Sequence, residues 1–107
     1  MRIIARRTLR EFVASLAGQK SQSAVKAALD AWFDEVSKAR WANTADVKRL
    51  YATASVVTSE RIVFNIKGND YRLVVSVDFE KEIVWIKWIG THNAYDQIDV
   101  TEVQHGD

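Results

Sequence analysis

A chain of 107 residues can bury one core and no more, and 48% hydrophobic with 27% charged residues is a globular composition that excludes intrinsic disorder. With no cysteine, neither a disulfide framework nor a thiolate metal site is possible. No apolar run reaches membrane-spanning length and MRIIARRTLREF lacks a signal-peptide core, so the expectation is one domain over residues 1–107, cytoplasmic and off the membrane.

Arg2–Ala5 can form a first strand, and Thr8 with Glu11 three positions on reads as a capping box opening a helix. In that helix Leu9, Phe12, Val13 and Leu16 share one face, and Gly18 is a natural stop. A second helix runs from Ser21 or Gln22 to Ala39, with Val25, Leu29, Trp32, Phe33 and Val36 as its apolar stripe and Lys26, Asp30, Asp34 and Lys38 opposite. Asn43 or Thr44 caps a short third helix to Tyr51, with Val47, Leu50 and Tyr51 inward.

From Arg61 the period changes to two. Gly68-Asn69 suits a tight hairpin, and a two-residue loop there sets Lys67 opposite Asp70, Ile66 opposite Tyr71 and Asn65 opposite Arg72. One face is then continuously apolar, from Ile62, Phe64 and Ile66 to Tyr71, Leu73, Val75, Val77 and Phe79, and the helices pack there. A second tight turn near Glu80-Lys81 brings in a third strand, with Val84, Ile86 and Trp88 inward and Trp85, Lys87 and Ile89 outward, Lys87 falling opposite Val74. The other face, expected to be open, carries Asn65, Lys67, Arg72, Trp85 and Lys87, and ends at the Gly-Thr-His-Asn-Ala-Tyr-Asp segment with His92 and Tyr95.

A guanidinium fork, an ammonium and an indole on one face suit phosphate oxygens and stacked bases, which is the chemistry of single-stranded RNA. RNA cleavage without a metal needs a base, charge stabilisation and an acid for the leaving oxygen, and His92 and Tyr95 stand at the edge of that face. Two histidines and no cysteine argue against a dedicated zinc site, and no cofactor is expected. Each residue also has a plainer reading. Alternating polar side chains solvate any half-buried sheet, Arg72 can pair with a nearby carboxylate, and His92 can serve a local turn. Periodicity alone therefore stops at an RNA-binding or interaction domain.

The start MRIIARRTLREF, the central DVKRLYATAS and above all RIVFNIKGNDYRLVVSVDFEKEIVWIKWIGTHNAYDQID resemble the HigB family of bacterial type II toxins, over nearly the whole chain. The resemblance implies a RelE-like α+β fold, with N-terminal helices on one face of a small, mainly antiparallel sheet. It also implies an endoribonuclease that cuts mRNA during translation on the ribosome, neutralised by a HigA-type helix-turn-helix antitoxin that binds operator DNA, which this chain meets only through the antitoxin. The matching positions are Asn65, Lys67, Arg72, His92, Tyr95 and Asp96. On this basis Arg72 and Lys87 stabilise the phosphate and His92 or Tyr95 moves protons, while Asn65, Lys67 and Trp85, with Arg6 and Arg7 of the basic start, contact RNA. The alternatives are a non-catalytic RNA- or protein-binding module of the same fold and, last, a structural subunit whose sheet face docks another.

Overall fold

The computed structural model describes residues 1–103. In chain order the elements are β1 (Arg2–Ile4), α1 (Arg6–Ser15), α2 (Gln22–Lys38), α3 (Thr44–Leu50), β2 (Ser55–Val56), β3 (Arg61–Ile66), β4 (Tyr71–Asp78), β5 (Ile83–Thr91) and α4 (His92–Tyr95). The five strands form one sheet in the order β1-β5-β4-β3-β2, with β1 parallel to β5 and every other pair antiparallel. This is the expected α+β architecture.

Burial of one sheet face holds it together. Ile62, Phe64, Leu73, Val75, Val77 and Val84 are almost completely inaccessible, and they pack against Leu9, Leu16, Val25, Leu29, Trp32, Val36 and Val47 from the helices. Trp32, Trp41 and Tyr51 gather around Phe64, with ring centroids 5.4, 6.3 and 5.1 Å from it. These aromatic side chains supply large apolar area where α2 and α3 meet β3.

Local signals explain several boundaries. Asn43 caps α3, its Oδ1 accepting from the Asp46 N–H at 3.0 Å. Thr8 does not cap α1. The helix begins three residues earlier than that cap implies, at Arg6, with Ala5 at the N-cap position and no side-chain bond, and Thr8 is buried inside it. The chain leaves its β1 pairing with β5 at Ile4 and turns into the helix at once, so topology sets the start. Leu50 points outward at 47% exposure, against expectation, while Val47 and Tyr51 face in. The two-residue strand β2 was not anticipated; it covers the edge of β3.

The first hairpin pairs Ile66 with Tyr71 and Asn65 with Arg72, as expected, but its loop is longer. The ladder closes at Ile66, and Lys67 to Asp70 form the connection, with positive φ at Lys67 (53°) and Gly68 (64°). Lys67 and Asp70 still meet as an ion pair at 3.1 Å.

The third strand departs most from expectation. Val75 pairs with Ile86, but Val74 pairs with Trp88, so Lys87 is an extra residue at a β-bulge and has no partner on β4. One inserted residue reverses the alternation beyond it. Ile89, expected outward, joins the helix-side core at 3% exposure, and Trp88, expected inward, sits half-buried on the Arg72 face.

That second face is not fully open. Val63 and Val74 lie on it, outside the helix-side core, and yet are 2% and 0% exposed. Trp88 stands opposite Val74 on this face, and the segment after α4 runs back towards β3. Ile98, Val100 and Val103 are half-buried, and Arg61 Nη1 donates to the Val103 carbonyl at 2.9 Å, so the chain returns across the sheet from β5 towards the start of β3.

Candidate active site

Strand register builds the site. Asn65, Arg72 and Gly90 form one row across β3, β4 and β5 on the face away from α1 to α3. The next row is Val63, Val74 and Trp88, followed by Arg61, Ser76 and Trp85. Trp85 therefore shares the face of Arg72 but stands two rows away.

Gly90 is required by a side chain in the neighbouring row. A Cβ at this position would lie 2.5 Å from Cη2 and 2.6 Å from Cζ2 of Trp88, so the indole is seated where any larger residue would project. Trp88 in turn contacts Tyr95 of α4, centroid to centroid 6.3 Å. The Tyr95 ring lies 6.0 Å from the Arg72 guanidinium carbon. Gly90, Trp88, Tyr95 and Arg72 thus form a contiguous set.

The hairpin loop and α4 hold Arg72 and His92 together. Arg72 Nη1 donates to the Asn69 carbonyl at 2.9 Å, and Nη2 lies 3.0 Å from His92 Nδ1. The His92 N–H donates to the Asp70 carbonyl at 2.9 Å, tying the start of α4 to the same loop, and the Thr91 hydroxyl oxygen accepts from the Ala94 N–H at 3.1 Å. Since a guanidinium has no acceptor, Nδ1 must offer its lone pair, which puts the proton of a neutral imidazole on Nε2. Nε2 faces Asp96 Oδ2 at 3.9 Å.

Beside this pair is a cleft of about 470 Å³, bordered by Lys67, Asn69, Asp70, Thr91, His92 and Asn93. The Tyr71 hydroxyl, 3.1 Å from Ser21 Oγ, ties its floor to the start of α2. The cleft carries an ammonium, an imidazole and amide groups, and the Arg72 fork bonds to two of its lining residues, Asn69 and His92. Arg72 still has Nε–H and one Nη2–H without a partner among the described residues.

Of the residues singled out from sequence, Arg72, His92, Tyr95 and Lys67 come together here, with Asn65 beside Arg72. Lys87 does not take its expected place. It occupies the bulge, half-buried, and makes no ion pair among the described residues. Arg6 and Arg7 lie on α1 in the helical layer, where Arg6 stacks on Phe33 at 4.3 Å and Arg7 pairs with Glu11 at 3.0 Å, so they do not join the Arg72 group. Sequence reading missed Trp88, Gly90 and the Asn69 and Asp70 carbonyls. The Trp-x-Gly spacing carried a signal, because residues two apart on a strand share a face and a glycine there leaves room for an indole.

Among the described residues no helix is long and apolar enough to cross a membrane. A comparison with curated proteins found no match. The model of the HigB toxin family, the RelE-like toxic component of a toxin-antitoxin system, matches residues 25–98, a span that runs from within α2 through α4 and includes Arg72, His92 and Tyr95. With four helices on and around a five-stranded mixed sheet among the described residues, this chain belongs to the HigB family of toxins, the toxic partners of an antitoxin.

Proposed function

We propose that this toxin is a metal-independent endoribonuclease, an mRNA interferase that cuts message on the translating ribosome and is neutralised by a HigA-type helix-turn-helix antitoxin. The antitoxin would carry the operon's DNA contact, leaving this chain to meet DNA only through it. The reading is carried by one observation: an arginine fork in direct contact with an imidazole that lines a polar cleft, with a phenol ring 6.0 Å from the guanidinium carbon.

In this reading the ribose 2′-oxygen attacks the adjacent phosphorus, the bond to the 5′-oxygen breaks, and the products are a 2′,3′-cyclic phosphate and a 5′-hydroxyl. A phosphate entering the cleft competes with the Asn69 carbonyl and His92 for the Arg72 donors. Drawing the guanidinium onto the phosphate stabilises the extra charge of the transition state and also releases the Nδ1 lone pair to take a proton. Lys67 adds a second positive charge, from the far side of the Asp70 pair. Tyr95 is the other proton-carrying group in reach and serves the leaving oxygen. Asn65 and Trp85 extend the same face and contact neighbouring nucleotides; Lys87 stands further from the phosphate than Arg72 and contributes field rather than contact. The basic start with Arg6 and Arg7 serves ribosomal RNA on the helical side.

Primer-extension mapping of a transcript after brief induction, with translation running and blocked, tests this. Cuts that need translation support the ribosome-associated reading. Cuts in both conditions support a free ribonuclease, and an intact transcript with arrested growth supports a toxin that binds without cutting.

A further inference from the structure

A second surface lies on the helical layer, with the sheet between it and Arg72. Between α1 and α2 a groove of about 220 Å³ is floored by Leu9 and Leu29 and walled by Val13 and Phe33. Its rim is charged. Arg6, Arg10 and Lys26 line it together with Asp30, and three cations against one carboxylate leave a surplus of two positive charges. Asp30 is already shared between Lys26 at 2.7 Å and Arg6 at 3.9 Å, while Arg10 is exposed and has no ion pair among the described residues.

An apolar groove between two helices with a net positive rim is the form of a protein-docking surface. Apolar floor and cationic rim together select an occupant that is apolar along one side and acidic along its margins. We infer that this groove docks an acidic amphipathic segment of the antitoxin, with apolar side chains set against Leu9, Val13 and Phe33 and carboxylates meeting Arg10 and Lys26. The inference rests on the existence of an antitoxin and not on the ribonuclease chemistry. It places one contact of the antitoxin away from the cleft, so its segment and a nucleic acid at Arg72 do not compete for the same atoms.

The experiment uses the full chain and the antitoxin encoded with it, with affinity measured by calorimetry at two salt concentrations. The double variant Arg10→Glu/Lys26→Glu is expected to bind at least tenfold more weakly and with a smaller salt dependence. Ala14→Trp, which fills the groove from an exposed position, should also weaken binding, whereas Lys81→Glu at the β4–β5 turn should not. Thermal melts of each variant separate lost binding from lost folding. Unchanged affinity in the double variant and in Ala14→Trp would overturn the inference, as would an equal loss in Lys81→Glu. So would a double variant that only dissociates paired copies of this chain. RNA cleavage by the unmodified toxin is assayed alongside, so a toxin that does not cut RNA leaves the binding result to be judged by itself.

Discussion

Replacing Gly90 with alanine tests the seating of Trp88 directly. The new Cβ would stand 2.5 Å from one indole carbon and 2.6 Å from the next, well inside the roughly 3.5–4.0 Å of a favourable carbon contact, so the ring must retreat by about 1 Å. Overpacking of this kind costs about 1–3 kcal/mol. Alanine also restricts the unfolded chain, which returns roughly 0.5–1 kcal/mol. The net expectation is a loss of about 1–2 kcal/mol, which at roughly 2.1 cal/mol/K per residue lowers Tm by about 4–9 °C for a domain of this size. Because Trp88 rests against Tyr95, the displaced indole should also disturb the phenol beside Arg72. Chemical denaturation of Gly90→Ala, Trp88→Leu and the double variant gives the coupling, expected at about 1–3 kcal/mol because the clash disappears once the indole is gone. Gly90→Ala with wild-type stability, or strictly additive single effects, would refute the reasoning.

Tyr51 supplies a pH-dependent case. Its hydroxyl is buried with no partner at good hydrogen-bond geometry, and burial first, then the charge of Glu35 and the approach of the hydroxyl to that carboxylate, hold its pKa above the ordinary value of 10.0. The unfolded chain therefore loses the phenolic proton before the folded one. The stability linked to this proton is complete below pH 10 and falls as pH rises beyond it. Tyr51→Phe should match the wild type at neutral pH to within about 1 kcal/mol, since no well-formed hydrogen bond is lost, and should show a shallower alkaline fall in denaturation midpoints; parallel profiles would contradict this. Asn43→Ala removes the α3 cap and should cost about 1 kcal/mol in the same assay, with Asn43→Asp retaining most of it; no loss in Asn43→Ala would mean that the helix start is held by packing alone.

Much of this geometry was legible before any coordinates. The Asn65–Arg72 and Ile66–Tyr71 pairs followed from a turn signal and a period of two, even though the loop proved to be four residues long. The α2 stripe and the capping by Asn43 were equally readable, because periodicity and caps are local properties. The bulge at Lys87 was not legible. IVWIKWIG contains apolar residues in both parities, so nothing in the segment marks where the alternation slips, and the slip decides which of Trp88 and Ile89 enters the core. The return of the chain after α4 to meet Arg61 was hidden for a different reason, since a segment without regular structure leaves no period. Arg6 and Arg7 were drawn to the RNA face by charge alone. Charge says how strongly a group will attract an anion but not on which side of a fold it stands.

The central claim concerns Arg72, whose guanidinium joins the hairpin loop to His92. Single-turnover cleavage of ribosome-bound message by the purified wild type and Arg72→Ala, each confirmed as folded by its melting curve, addresses it most directly. The expected result is a wild-type product ending in a 2′,3′-cyclic phosphate and a loss of about 10²–10³ in rate for the variant, the scale of removing one group that stabilises transition-state charge. Cleavage by Arg72→Ala at the wild-type rate, with the same ends, would contradict the account.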